Sequence, residues 1–367
     1  MGTLSGASPF HFPGQSIIIA GTAGESFGSM SAITAAARPA VSRVRNMMPS
    51  RDSRTAYLYL APALVIMAVI TFYPLVYQVF ISFTDFGVAN ISPNGPPATW
   101  VGTDNYERIL SGKLGIPNFD FVRIVLFNLW WALSNVIIHI VLGVGIAILL
   151  NTRGLRFRGF YRALYILPVV IPPIIVATVW RNMFDRDNGA INQALLLLGG
   201  LFKVPAEAFQ IDWLRQVADP IPFLPLPLAY FALLAANTWL GWPLNSVVAT
   251  GALQSIPREL YEAAEMDGAG AWQKFRNVTL VFLRPAMIPY AIYGFVITFN
   301  LFYLTYFMSQ GGPFGRTELL VTQAYTLVNA SRLYGVAAAF GVFMFFILLA
   351  ITLFFNRLTK ATANYDT

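Results

Sequence analysis

Six stretches of this chain carry no Asp, Glu, Lys or Arg: residues 55–84, 124–152, 163–180, 220–257, 285–315 and 333–356. Each holds at least the roughly 17–25 apolar residues that a helix needs to cross the hydrocarbon core of a bilayer. Backbone polar groups in lipid must be satisfied internally, so six such runs restrict the chain to a bundle of spanning helices. Only 11% of the residues are charged and 56% are hydrophobic, against about 25% charged in soluble domains. The third run holds Pro168, Pro172 and Pro173 and reads as a broken span. Residues 188–202 are too short and too polar at their start to cross, and read as an interfacial or packed helix in a loop.

Charge gives the orientation. With the N-terminus inside, the regions assigned to the cytoplasm hold 15 Lys/Arg against 7 Asp/Glu, and the outer loops hold 9 against 10. The short loop with Arg153, Arg156, Arg158 and Arg162 has no acid, as the positive-inside rule requires. The net charge of +7 therefore reports topology, and no aromatic-interleaved basic stripe points to nucleic acid. The first 50 residues are rich in Ala, Ser, Gly and Thr. They lack the basic start and apolar stretch of a secretory signal, and read as a cytoplasmic tail. Its Arg38, Arg43, Arg45, Arg51 and Arg54 are expected beside the anionic lipids of the inner leaflet.

Chemistry is sparse. Cysteine is absent, so no disulfide, zinc or haem signal can be read. Of four lysines only Lys113 follows a glycine, and the residue five before that glycine is Glu107, so no P-loop is present. Two histidines, His11 and His139, leave no plausible Ser/His/Asp arrangement. His139 is the one His, Asp, Glu, Lys or Arg inside any run. It reads either as a proton relay or as a neutral imidazole bonded to a carbonyl; having no charged partner in any span favours the second. Gly143 and Ala147, and again Ala337 and Gly341, are small pairs four apart that let helices approach closely.

The exception to all this apolarity is the segment 254–285, QSIPRELYEAAEMDGAGAWQKFRNVTLVFLRP, with four acids and four bases between two apolar runs. Pro257 should start a helix with Glu259 in its first turn, at the positive end of the helix dipole. Gly268 and Gly270 should break it, and residues 271–278 should form a second short helix with Trp272 and Phe275 on one face. From the residues alone, two readings stand: an amphipathic helix pair lying at the membrane surface, or a docking element for a soluble partner.

Glu262-Ala263-Ala264, Asp267-Gly268-Ala269, Trp272, Phe275 and Pro285 resemble the EAA motif of permease subunits of bacterial carbohydrate-uptake ABC importers. The stretches LAPALVIMAVITFYPLVYQVFISFTDF and MSQGGPFGRTELLVTQAY are similar to the first span and an outer loop of sugar permeases, so the likeness covers about residues 57–360. TGALQSIPRELYEAA leans toward the maltose type. One departure is Val281, where the family usually has proline; it should let the connection to span five stay more helical. The resemblance implies an all-α integral membrane protein with six transmembrane helices of the type I importer permease kind and a cytoplasmic coupling helix between helices 4 and 5. It divides the chain into a tail (1–56), a first helix (57–84), an external loop (85–120), a transmembrane domain (121–360) holding the coupling loop (257–285), and a C-terminal tail (361–367).

The partners it implies are a second homologous permease, a dimer of ATPase subunits, an external solute-binding protein, a sugar, and membrane lipid. No cofactor is expected on this chain, and ATP with Mg would sit on the ATPase subunits. Glu262, Ala263, Ala264, Asp267, Gly268, Trp272 and Phe275 would form the ATPase-coupling surface. A sugar path asks for aromatic faces and hydrogen-bonding amides in a mostly apolar cavity. Span four offers Asn237, Gly241 and Leu244 on one helical stripe, with Trp239, Leu240 and Trp242 nearby, and span five offers Thr298, Asn300 and Tyr303. The corresponding helices line the sugar site in maltose-type relatives. Apolar Val169 and Pro173 stand where a maltose site would profit from polar groups. An oligosaccharide is the first expectation and a solute such as glycerol phosphate the second. An ion-coupled transporter would need intramembrane carboxylates or inverted repeats, and neither is visible.

Overall fold

A computed structural model describes residues 51–152, 154–202 and 205–359. The assignments made for the first 50 residues and for the C-terminal tail from residue 360 lie outside them. The architecture is all-α. The described residues form helices and short loops, with a single antiparallel bridge, Thr84 to Trp100, and no strand.

The chain divides into two units, residues 1–67 and 68–367. The described part of the first is one apolar helix, α1 (Arg51–Met67). The second opens with a π turn, Ala68–Phe72, and α2 (Tyr73–Ile81). The loop that follows carries a short helix absent from the expectations above, α3 (Asp104–Leu110). Asn105 explains its place: the buried amide donates to the carbonyls of Ser82 and Thr84, at 2.9 and 2.8 Å.

The bundle is built on α4 (Phe121–Asn151), whose N-terminus is capped by the Asp120 carboxylate accepting from the Arg123 amide at 3.1 Å. Its principal partner is α8 (Leu228–Gln254). Between them in sequence come α5 (Arg158–Val170), α6 (Pro173–Met183) and α7 (Ala190–Leu201). The proline-broken span is indeed bent: α5 and α6 meet at 95° across the break before Pro173. The segment read as too short to cross forms α7, a 12-residue apolar helix.

After α8 come α9 (Arg258–Met266), α10 (Ala271–Lys274), a π turn (Phe275–Thr279), α11 (Leu280–Phe299), α12 (Phe302–Met308), α13 (Leu320–Asn329) and α14 (Tyr334–Thr359). Two expectations change here. The second helix of the charged segment does not stop at residue 278. It runs on through Val281 as part of a 38-residue helical stretch, Ala271–Met308, because no proline interrupts it before Pro285. That stretch is then broken at Asn300 and Leu301, inside what the sequence presents as one span.

Among the described residues four helical stretches are long and apolar enough to cross a membrane: Thr55–Ile81, Phe121–Asn151, Ala271–Met308 and Tyr334–Thr359; the bent α5–α6 pair, taken as one span, makes a fifth. Helix α8, counted as a span from its lack of charge, falls outside that set although it is 27 residues long. Its polar residues are the reason: Asn237, Asn245, Ser246 and Thr250 are all buried against neighbouring helices rather than offered to lipid.

Glycine sets the α4–α8 contact. A Cβ on Gly143 would stand 2.9 Å from the backbone of Asn245 and Ser246, and one on Gly241 would overlap the His139 ring. Ala147 and Ala249 continue the contact, both fully buried. The packing role read from Gly143 and Ala147 is what the structure contains.

Candidate functional site

The charged segment folds as a helix, a tight turn and a second helix. Extended Pro257 (φ −60°, ψ 138°) turns the chain into α9 and leaves Glu259 in its first turn. The helix ends through Gly268 at φ +75°, with the Ala269 amide donating to Ala264 O at 2.8 Å. Glycine meets that left-handed geometry without a Cβ penalty. Gln273 then reaches back to accept from the Gly270 amide at 2.8 Å, starting α10.

Two contacts fix the pair. Lys274 Nζ meets Glu265 Oε1 at 2.6 Å, and the hydroxyls of Tyr261 and Thr279 lie 2.9 Å apart. Beneath them Leu253, Ile256, Leu283 and Met287 pack with Ala147 and Ala249. The element therefore abuts the cluster formed where α4, α8 and α11 meet.

Its outward surface holds the residues picked from the sequence. Glu262, Ala263, Asp267, Gly268 and Trp272 are exposed, and Ala264 and Phe275 are half-buried. Trp272 is 70% exposed and its ring faces Phe275 at 5.4 Å; Met266 beside them is 89% exposed. Among the described residues Glu259, Glu262 and Asp267 have no ion-pair partner. An apolar knob ringed by unpaired acids results.

The second set of picked residues divides. Asn237 is buried and ties two helices: its Nδ2 donates to Asn135 Oδ1 at 2.7 Å, and its carbonyl lies 3.0 Å from His139 Nε2. A ring nitrogen facing a carbonyl is a donor, so the imidazole is bonded to a backbone carbonyl of the neighbouring helix, as expected. Asn135 in turn donates to Trp131 O at 2.7 Å, and Tyr230 donates to Ser134 at 2.9 Å. Thr298 is buried. Asn300 is exposed at the helix break, its amide donating to Val296 O at 3.0 Å. Leu244 and Tyr303 face outward, and Leu240 packs half-buried among the aromatics of α6 and α8.

Trp239 and Trp242 are placed differently. Trp239 faces Trp180 at 6.4 Å and Trp242 faces Tyr165 at 5.4 Å. Both rings line two cavities of about 460 and 490 Å³ between α8 and the bent α5–α6 pair. Asn237, Gly241, Thr298, Asn300 and Tyr303 line neither.

Sequence reading passed over Asn128. It is fully buried, donates to Phe299 O at 3.1 Å and accepts from the Leu320 amide at 2.7 Å. One side chain thus satisfies the backbone exposed by the break after α11 and the start of α13. Its signal was present: Asn128, Ala132, Asn135 and His139 recur at helical spacing along one face of α4.

At the end of the bundle away from α9, Arg316 clamps two loops, pairing with Asp219 at 2.5 Å and with the carbonyls of Val217 and Pro225. Glu318 lies close by, enclosed by the turn at Gly311. Burial holds its carboxyl above the usual range, and the Thr322 hydroxyl and Arg123 only partly oppose this. A carboxyl raised in the fold favours the folded state below its ordinary pKa and loses that advantage as pH climbs through the raised value. Glu318→Gln is therefore expected to melt at a higher temperature than the parent at pH 8, with the difference vanishing by about pH 4. Thermal unfolding in detergent across that range checks it.

An all-helical bundle with several spans, a charged helical element on one end and no nucleotide-binding loop defines a membrane-embedded transport subunit. The model of the family described as binding-protein-dependent transport system inner membrane component matches residues 139–363, and the chain belongs to that family. It is 30% identical over 83% of its length to the galactooligosaccharides transport system permease protein of Bacillus subtilis (strain 168), covering 70% of it. It is likewise 30% identical over 86% of its length to the maltodextrin transport system permease protein of the same strain, covering 71%. The fold matches a chain in the crystal structure of a bacterial alginate ABC transporter in complex with an alginate pentasaccharide-bound periplasmic protein. The TM-score there is 0.64 at 19% identity, over 84% of this chain and 95% of that one.

Proposed function

We propose that this chain is one of two homologous permeases of an ATP-driven importer that carries a neutral oligosaccharide across the inner membrane. Its termini are cytoplasmic, a solute-binding protein delivers the sugar from outside, and a separate ATPase dimer supplies the energy. The observation that carries the reading is the exposed acidic helix α9, with Glu259 and Glu262 unpaired among the described residues and Tyr261 packed against the cluster that α4 and α8 side chains form, in a chain of this family. Docked in an ATPase cleft, it would transmit closure of the ATPases to the two helices that hold it.

The sugar is assigned by the aromatic surface. Trp239 and Trp242 between two cavities offer ring faces of the kind sugars stack on. The named relatives handle oligosaccharides, which supports the same class here. A phosphate-bearing solute fits less well there, because no Lys or Arg lines either of the two cavities beside Trp239 and Trp242.

Uptake into proteoliposomes tests this. The assembled transporter should import a neutral oligosaccharide only with ATP inside and binding protein outside, and the purified chain alone should hydrolyse no ATP. Uptake driven by an ion gradient without ATP would overturn the reading. Uptake restricted to a phosphorylated solute would overturn only the substrate class.

A further inference from the structure

Arg162, in the second turn of α5, is the one guanidinium with polar atoms both buried and unpartnered among the described residues. Its Nε and Nη2 form the edge that clasps two oxygens of an oxyanion, and neither has an acceptor. The side chain lines a cavity of about 530 Å³ between α5 and α8, together with Tyr165, Thr250 and Gln254. No acid is available from either wall: the sequence has none between Asp120 and Asp185, and none between Asp219 and Glu259. Arg162 is half-buried, and leaving its two buried nitrogens without an acceptor is costly, so the site calls for an anion.

A second observation concerns the surroundings. Phe157, just before the same helix, and Phe160, Tyr161 and Leu164 on it are all exposed, at 76%, 64%, 43% and 54%. Exposed aromatics beside basic residues are the composition of a segment at the headgroup level of a bilayer. Arg156 is exposed there as well, and Arg158 is engaged only with a carbonyl, that of Thr152 at 2.6 Å.

We propose that this cavity binds a phosphate group, with Arg162 as its bidentate ligand and the headgroup of an anionic phospholipid as its source. Basic pockets between spanning helices on the cytoplasmic side suit such headgroups. Tyr165 and Gln254 supply further donors to the phosphate oxygens. The lipid would fasten the free end of the bent α5–α6 pair to α8. Assignment to the inner leaflet rests on the topology proposed above; the phosphate chemistry does not.

Native mass spectrometry of the assembled, detergent-extracted transporter tests the site without reading transport. Dioleoyl-phosphatidylglycerol and dioleoylglycerol, which share acyl chains and differ in phosphate, are the probes, with inorganic phosphate as competitor. Phosphatidylglycerol should be retained over dioleoylglycerol. Arg162→Gln should weaken its retention at least about tenfold, the loss of one charge-assisted bidentate contact. Arg162→Lys should keep part of it, and Lys274→Gln should leave it unchanged. Displacement by millimolar inorganic phosphate would support the phosphate site while making free phosphate its source. Equal retention of the two lipids, or retention unaffected by Arg162→Gln, would overturn the proposal. So would loss of the second permease, rather than of lipid, from the Arg162→Gln assembly, since a partner carboxylate would then fill the site.

Discussion

Glu262→Lys is expected to abolish transport and to release the ATPase subunits while the chain still inserts normally. Glu262 is exposed on α9, without an ion pair among the described residues, and next to the small Ala263 and Ala264 that leave room for a partner to close in. On an open surface an ion pair is worth only about 0–1 kcal/mol. Breaking one buried in an interface costs about 3–5 kcal/mol, which is more than about a hundredfold in affinity. The proposed docking puts Glu262 in the second situation. Co-purification of the ATPase, followed by ATP-driven uptake, reads the effect, and a charge reversal on the ATPase should restore part of it. A Glu262→Lys chain that still co-purifies and transports at the parent rate would leave the segment as a surface helix pair without a coupling task.

Gly143→Leu should fail at an earlier stage. The substitution drives a branched side chain into the backbone of Asn245 and Ser246 at the principal helix contact of the bundle. Backbone cannot move aside as a flexible side chain can, and packed interiors absorb extra volume poorly. Overpacking of this kind costs about 1–3 kcal/mol or more. The same shift would disturb Asn135, His139 and Asn237, whose hydrogen bonds need the helices in register. The expected outcome is a chain that inserts but melts well below the parent and recovers poorly after detergent extraction. Gly145→Leu, on a glycine with nothing close to it, is the control and should be tolerated. Gly241 belongs with Gly143 in this respect. A bulky side chain there meets the His139 ring, so its first effect should be on packing rather than on a sugar path.

The two candidate surfaces were legible to different degrees. The acidic helix was readable nearly residue by residue, because charge in a membrane chain is rare and Pro257, Gly268 and Gly270 punctuate it locally. The end placed at residue 278 does not hold, because nothing local stops the helix there, but the helical connection expected from Val281 in place of proline is present and carries on into α11. The polar residues of α8 were the harder case. Asn237, Gly241 and Leu244 share a stripe by spacing, yet Asn237 is buried against Asn135 while Leu244 is exposed. Spacing places residues on a face, but the neighbour covering that face is not written in the same helix.

What the sequence determined by itself was the class of fold, the position of the charged element and the small residues that allow close helix contact. Each follows from local chemistry: uncharged apolar runs must be helical in lipid, acids must leave it, and only glycine tolerates the closest approaches. What the tertiary structure decided was which buried polar groups find a partner on another helix and which do not. Asn128 bridges Phe299 and Leu320, residues 171 and 192 positions away, and Arg162 ends beside a cavity with no acceptor. A hydrogen bond or an unmet charge between distant helices depends on how those helices cross, and the crossing is set by packing across the whole bundle.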